Sequence, residues 1–239
     1  MPSISEQVSF YNDFWKDHTR ISYWGMERTG VILTELARQR VDSPTILDLG
    51  SGTGWMSNIL SAYGEVTGVE LSADAVEKAR KNFPQATFYS GDFFTIDFPK
   101  QFDFIVVSEV LEHFEDQKAL VARIAELLRP GGAVVITTPN RLLRHEADVD
   151  GSLDGRWQPI ENWRSPAELK ALLAPYFNTQ RQYSIELGWG HSGTRRTLNS
   201  TKLRQILYSL GLGYRWDEWR RNRCDGLHLV NVSTRRVDD

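Results

Sequence analysis

The sequence predicts an α/β fold in which helices cover both faces of one mostly parallel sheet. Apolar runs without polar alternation recur after residue 45, as "TILDLG", "EVTGVE", "FDFIVVSE" and "AVVITTPN", and such runs are strands buried on both faces. Segments of helical spacing separate them, and strands alternating with helices build parallel sheets. The chain has 239 residues with 41% hydrophobic content, enough for one sizeable core with an added lid.

Each element has its own signal. Phe10 and Phe14 lie one helical turn apart, and Val31, Ile32 and Leu36 continue a helical face until "RVDSP" breaks it. "TILDLG" is the first strand, and a helix from about Trp55 to Tyr63 follows. After "EVTGVE" comes a helix that Ser72 caps and Pro84 closes. "ATFYSGD" and "FDFIVVSE" are further strands. "DQKALVARIAELL" is helical and stops at "RPGG", ahead of the strand "AVVITTPN". From Arg141 to Trp163 the chain is polar and irregular. Ser165, Pro166 and Glu168 then stand as N-cap, first and third residues of another helix. "FNTQRQYSIEL" and "GLHLVNVST" are the closing strands. Residues 188–225 between them are too long for a plain connection and are expected to form a substrate lid with one helix near Leu203 to Leu210. The expected organisation is helices over 1–45, a core of 46–187 and 226–239, and the 188–225 insertion.

Composition narrows the function. A net charge of −3 and pI near 6.0 speak against a surface made to dock on DNA or an anionic membrane. No apolar run approaches the ~20 residues that span a bilayer. The start of the chain lacks the basic and apolar pattern of a signal peptide. Cys224 stands alone, so neither an intrachain disulfide nor a thiolate metal cage is available, and a cytoplasmic location is expected.

The stretch "ILDLGSGTGW" carries the first functional signal. Gly50, Gly52 and Gly54 follow the first strand and open a helix, where backbone can approach a ligand closely. Dinucleotide loops require G-x-G-x-x-G, and both frames fail here, at Trp55 and at Ser57. Asp48 stands two places before the first glycine, where it would repel a phosphate. It would instead attract a phosphate-free ligand carrying an ammonium and a sulfonium, such as S-adenosylmethionine. Glu70 ends the next strand, placed for the two hydroxyls of a ribose. Asp92 follows Gly91 at the end of the third, placed for an adenine amine that Phe93 covers.

On these residues the chain resembles the class I S-adenosylmethionine-dependent methyltransferases, from about Ile46 onward. "DLGSGTG", including Ser51, is similar to their first motif, "GVEL" with Leu71 to their ribose-binding strand end, "GDF" to their adenine contact, and "LLRPGGAVVITTPN" to their fifth strand. The resemblance implies a Rossmann-like, seven-stranded sheet whose last strand is antiparallel, and N-terminal helices covering the cofactor. Tyr11, Trp15, Tyr23 and Trp24 lie in that cover, where one or two are expected to touch ligand. Ser108 and Glu109 at the end of the fourth strand are expected beside the methionine end of the cofactor.

"SEVLEHFED" is the candidate catalytic edge. If the chain turns helical there, Glu109, Glu112 and His113 fall on one face. Methyl transfer from a sulfonium is an in-line displacement that depends on placement, and a hydroxyl acceptor gains from a base near neutral pKa. His113 is the expected base. E-x-x-E-H also resembles the metal-binding motif of small-RNA 2′-O-methyltransferases, and of some quinone O-methyltransferases. That resemblance offers an alternative with Mg²⁺ or Mn²⁺ held by Glu109, Glu112 and His113, and a non-catalytic cofactor-binding module is a further one. The RNA enzymes add a later histidine, and His145 lacks the matching context. Base-amine and cytosine C5 motifs are absent after the fourth strand. The expected activity is methyl transfer to an oxygen, with nitrogen second, of a small-molecule metabolite. From Gly190 onward ten Lys or Arg stand against five Asp or Glu, which would draw an anionic acceptor. Trp157, Trp163, Trp189, Trp216 and Trp219 are interleaved to stack on it or to pack the lid.

Overall fold

A computed structural model describes residues 2–17, 21–143, 158–189 and 193–237. Helices α1 (Ile4–Asp17) and α2 (Tyr23–Arg38) lead into β1 (Thr45–Leu49), α3 (Trp55–Leu60), β2 (Glu65–Glu70), α4 (Ala73–Asn82), β3 (Thr87–Ser90) and β4 (Phe102–Ser108). Then come α5 (Gln117–Leu127), β5 (Leu128–Pro139), α6 (Pro166–Leu173) and β6 (Phe177–Leu187). Helices α7 (Gly193–Leu198), α8 (Thr201–Ser209) and α9 (Gly213–Asn222) precede β7 (Gly226–Arg235). The strands form one seven-stranded sheet in the order β3-β2-β1-β4-β5-β7-β6. Pairing is parallel from β3 to β5, and β7 runs antiparallel to both of its neighbours. The expected Rossmann-like sheet with its antiparallel last strand is therefore present.

The period of two in the strands divides the core into two layers. Ile46, Val66, Phe104, Val106 and Val135 face a layer that includes Ile32 and Leu36 of α2, Leu60 of α3 and Val76 of α4. Leu47, Leu49, Ile105, Val107 and Val134 face the other, with Leu120 and Ile124 of α5 and Leu169 and Leu173 of α6. Each such aliphatic or aromatic side chain contributes roughly 1.5–3 kcal/mol on full burial. Side-chain caps fix the helix starts: Ser72 Oγ accepts from Ala75 N at 3.1 Å, and Ser165 with Glu168 forms the expected capping box.

Four details differ from expectation. Helix α3 ends at Leu60, and the turn through Tyr63 is closed by Tyr63 N donating to Leu60 O at 2.8 Å. The "RPGG" segment belongs to β5, because Leu128 already pairs with Phe102 across a register shift. Residues 193–222 hold three helices instead of one: Ser200 caps α8, and Gly211, at φ 72°, turns the chain toward α9. Helix α8 is the one expected near Leu203 to Leu210, and α7 and α9 are additional. Finally, the chain does not turn α-helical after β4. Glu109 is in the left-handed region at φ 56°, and only Leu111–His113 form a single 3₁₀ turn. The shared helical face expected for Glu109, Glu112 and His113 is absent.

Candidate active site

A cavity of about 820 Å³ opens beyond the carboxyl ends of β1, β2, β3 and β4, where open parallel sheets place their ligands. Its size is near the upper end of ligand cavities. Of the sequence-predicted residues, Asp48, Gly50, Ser51, Glu70, Leu71, Gly91, Asp92, Phe93, Ser108, Glu109 and His113 all line it. Gly52 and Gly54 stand behind this wall and serve packing. A Cβ on Gly52 would lie 2.5 Å from the Trp15 ring, and one on Gly54 would lie 2.8 Å from Ala79 Cβ. Gly50, at φ 74°, permits a close approach: its Cβ would fall 2.2 Å from Val110 Cγ2.

The two buried acids of this wall are held by short local bonds. Asp48 accepts from Ser57 Oγ at 2.6 Å, and burial pushes its carboxyl up to about 7 despite that bond. Glu70 accepts from Gly52 N at 3.1 Å and from Ser72 N at 3.0 Å, with burial again raising its pKa. The Leu71 backbone and the Trp15 indole also hydrogen-bond this carboxylate and oppose that rise. Asp92 caps its own turn, accepting from Phe94 N at 3.0 Å. Ser51 Oγ is buried with no hydrogen-bond partner among the described residues. Arg28 is the only Lys or Arg among the described residues of the lining. Carboxylates without basic partners suit a cationic, phosphate-free nucleoside and repel a nucleotide phosphate.

The catalytic edge is spread over three separate anchorages. Glu112 is buried, accepts from Thr138 Oγ1 at 2.9 Å, and is pushed up to about 7 by burial, with His113 pulling the other way. The ring of His113 lies with Nδ1 2.9 Å from Ile160 O and Nε2 3.7 Å from Glu112 Oε1. A carbonyl only accepts, so Nδ1 carries the proton and Nε2 keeps a lone pair in the neutral ring. Glu109 turns the other way, toward His228 Nε2 at 2.9 Å and Thr137 Oγ1 at 3.0 Å. Burial would raise its pKa, but His228 and Arg28 outweigh that and hold it well below the usual carboxylate range. The three residues therefore do not converge, and among the described residues no group of three could hold a metal ion. His145 lies outside the described residues.

Sequence reasoning missed His228, Arg28 and Glu186. His228 is on β7, paired with Pro139 and with Ile185, and its Nδ1 lies 2.5 Å from Glu186 Oε2. Arg28 Nη1 reaches Glu186 Oε1 at 3.3 Å. Residues so far apart meet only through sheet order, so no local motif announces them. From the N-terminal helices Tyr11, Trp15 and Trp24 line the cavity, while Tyr23 is 65% exposed. Trp189 lines it too, with its ring centroid 5.4 Å from that of Trp24. Trp163 donates to Glu161 at 2.6 Å, Trp216 and Trp219 stack on each other, and Trp157 lies outside the described residues. None of the ten basic residues counted after Gly190 is among the lining. Arg195 and Arg220 pair with Asp225, Arg204 with Asp217, and Arg221 with Glu27.

A family profile described as a methyltransferase domain matches residues 24–190. A ubiquinone biosynthesis O-methyltransferase of Aromatoleum aromaticum is 38% identical over 103 residues, 40% of this chain and 44% of that protein. A dTDP-3-amino-3,4,6-trideoxy-alpha-D-glucopyranose N,N-dimethyltransferase of Streptomyces venezuelae is 36% identical over 110 residues, 44% of this chain and 46% of that one. The aligned stretch thus spans less than half the length of these relatives. Among solved structures, the N-methyltransferase NodS of Bradyrhizobium japonicum bound to S-adenosylhomocysteine superposes with a TM-score of 0.60 at 14% identity, covering 98% of this chain and 97% of that one. A Pyrococcus horikoshii protein superposes with a TM-score of 0.64 at 17% identity, covering 92% and 94%. At such identities the likeness is one of fold.

Proposed function

The chain belongs to the methyltransferase-domain family, with the class I S-adenosylmethionine-dependent fold, and from that premise we propose that it transfers a methyl group to an oxygen of a small-molecule metabolite. The observation that carries this reading is the run of Asp48, Glu70 and Asp92 at three successive strand ends on the wall of the cavity that His113 also lines. Glu70 takes the ribose hydroxyls, and Asp92 with Phe93 takes the adenine. Asp48 faces the ammonium, and Gly50, Ser51, Leu71, Gly91 and Ser108 shape the wall. When bound, the cofactor supplies an electrophilic methyl on a sulfonium.

The acceptor hydroxyl approaches between the strand ends and the short turn that carries His113. Nε2 of His113 takes the hydroxyl proton as the oxygen gains the methyl, and the Ile160 carbonyl holds the ring in the tautomer that leaves Nε2 free. Tyr11, Trp15 and Trp24 from residues 1–45 cover the cleft and exclude water. Residues 188–225 serve as the acceptor lid of a core made of 46–187 and 226–239, a reading supported by Trp189 in the lining. The reaction belongs to the cytoplasm, in keeping with a lone cysteine.

The test is incubation with S-adenosylmethionine and a panel of hydroxylated and amino acceptors, read by mass spectrometry. Methylated hydroxyl products are expected, with turnover cut about 10²-fold or more in His113→Ala while cofactor affinity is kept. Products on amines alone, or near-normal turnover in His113→Ala, would remove the oxygen assignment or the base.

A further inference from the structure

The cavity has a second end, beyond the strands that hold the cofactor acids. In the sheet order β1-β4-β5-β7-β6, His228 on β7 lies two strands past β4. It bridges Glu109 after β4 and Glu186 at the end of β6, with Arg28 of α2 closing the group against Glu186. Both ring nitrogens of His228 lie within hydrogen-bond distance of carboxylate oxygens, at 2.9 and 2.5 Å. Carboxylates accept only, so both nitrogens donate and the ring is an imidazolium. Two cations and two anions therefore close into a buried group of zero net charge. Such a group neither repels a neutral ligand nor rewards an ion.

This quartet has hydrogen-bonding capacity left over. Glu109 uses one lone pair for His228 and one for Thr137, which leaves two of about four, and its side chain is 21% exposed. Among the described residues Arg28 donates one hydrogen bond, from Nη1, and its Nε is 4.0 Å from Glu109 Oε1, an ion-pair contact. Unused acceptors beside unused donors suit groups that both donate and accept, namely hydroxyls. Two indole rings, Trp24 and Trp189, pack together in the lining of the same cavity and give it an aromatic surface for the C–H side of a ring. A phosphate or carboxylate on the ligand would meet Glu109, Glu112 and Glu161, with Arg28 as the only Lys or Arg of the described lining and the His228 charge already claimed by two carboxylates. An ammonium placed at the Glu109 carboxylate would meet Arg28 and His228, which already flank it.

We propose that Arg28 and Glu109 bind adjacent hydroxyls of an uncharged, saturated polyol ring (a sugar or cyclitol) against Trp24 and Trp189, with His228 and Glu186 as positioning residues that hold the pair. The inference rests on the methyltransferase reading of the cavity and names its acceptor class. The methylated hydroxyl is then a neighbour of those gripped by Arg28 and Glu109.

The test uses the full chain saturated with S-adenosylhomocysteine. Methyl glucoside, methyl mannoside and myo-inositol are titrated beside glucose 1-phosphate, glucuronate, glucosamine and catechol, read by saturation-transfer NMR and tryptophan fluorescence. The neutral rings are expected to bind, and each added charge to weaken binding about tenfold or more. In Arg28→Ala and His228→Gln the ring signal is expected to vanish while S-adenosylhomocysteine affinity holds, with a lowered melting temperature from the uncompensated carboxylates and partial recovery of ring binding in Arg28→Lys. Equal or tighter binding of the charged rings, binding of catechol alone, or no neutral-ring signal overturns the proposal. Should the variants fail to fold, the charge series on the wild type still decides it. Failure to bind S-adenosylhomocysteine at all would be a different result and would strike the methyltransferase reading itself.

Discussion

Asp48 is buried at the end of β1 beside Ser57, and a carboxyl at about 7 changes its charge within the working range of most proteins. The sign of its effect on stability follows from proton counting. Between the ordinary value of 3.8 and about 7 the folded protein binds more protons than the unfolded chain, so this contribution is full below the ordinary value and fades as pH rises through about 7. Asp48→Asn is expected to melt above the wild type at about pH 8, with the gap closing toward about pH 4. Ligand binding has the opposite slope, because an ammonium favours the ionised carboxylate. S-adenosylhomocysteine should bind the wild type more tightly as pH rises through about 7, and Asp48→Asn should show a flat profile in calorimetry. A pH-independent affinity in the wild type would detach Asp48 from the amine. Glu109 is a contrasting case at the same cavity: His228 and Arg28 keep it ionised throughout, so it does not titrate with the cofactor.

The strand-end loops act as units because they lean on each other. Val110, next to Glu109, fills the space that a side chain on Gly50 would need, so the glycine loop and the loop after β4 fit only in this pairing. Gly50→Ala adds a left-handed alanine, about 1–2 kcal/mol, to a direct overlap with Val110. Denaturant unfolding should therefore show a loss of at least that size together with weaker cofactor binding; an unchanged midpoint would mean that the loops are free to part. At α6, Ser165→Ala should cost about 1 kcal/mol by removing the capping box, without touching the cavity, and an equal loss of cofactor affinity would contradict that separation. Legibility differs among elements for the same physical reasons. Apolar strands and capped helices are written locally, so β1, β2, β4, β6, β7, α4 and α6 were readable from residue type and spacing. The turn after β4 was not. "SEVLEHF" has helical spacing, yet Glu109 takes φ 56° because His228 and Thr137, from β7 and β5, claim its side chain.

At the scale of the molecule, one sheet separates two ends of one cavity. The cofactor end draws on β1 to β4, consecutive in sequence, and its acids and glycines were legible as motifs. The other end draws on α2, β6 and β7, so Arg28, Glu186 and His228 meet only once the sheet is ordered, and no spacing rule could have joined them. The basic excess after Gly190 misled in a complementary way. Composition counts charges but not their partners, and Asp217, Asp225 and Glu27 engage several of those arginines away from the cavity. The central claim is that the strand-end carboxylates were placed for a phosphate-free nucleoside, and calorimetric titration with S-adenosylhomocysteine tests it most directly. The wild type should bind at one site, and Glu70→Ala should weaken that binding by roughly 1–3 kcal/mol, the scale of lost charged hydrogen bonds. No heat of binding in the folded wild type, or equal affinity in Glu70→Ala, would contradict it.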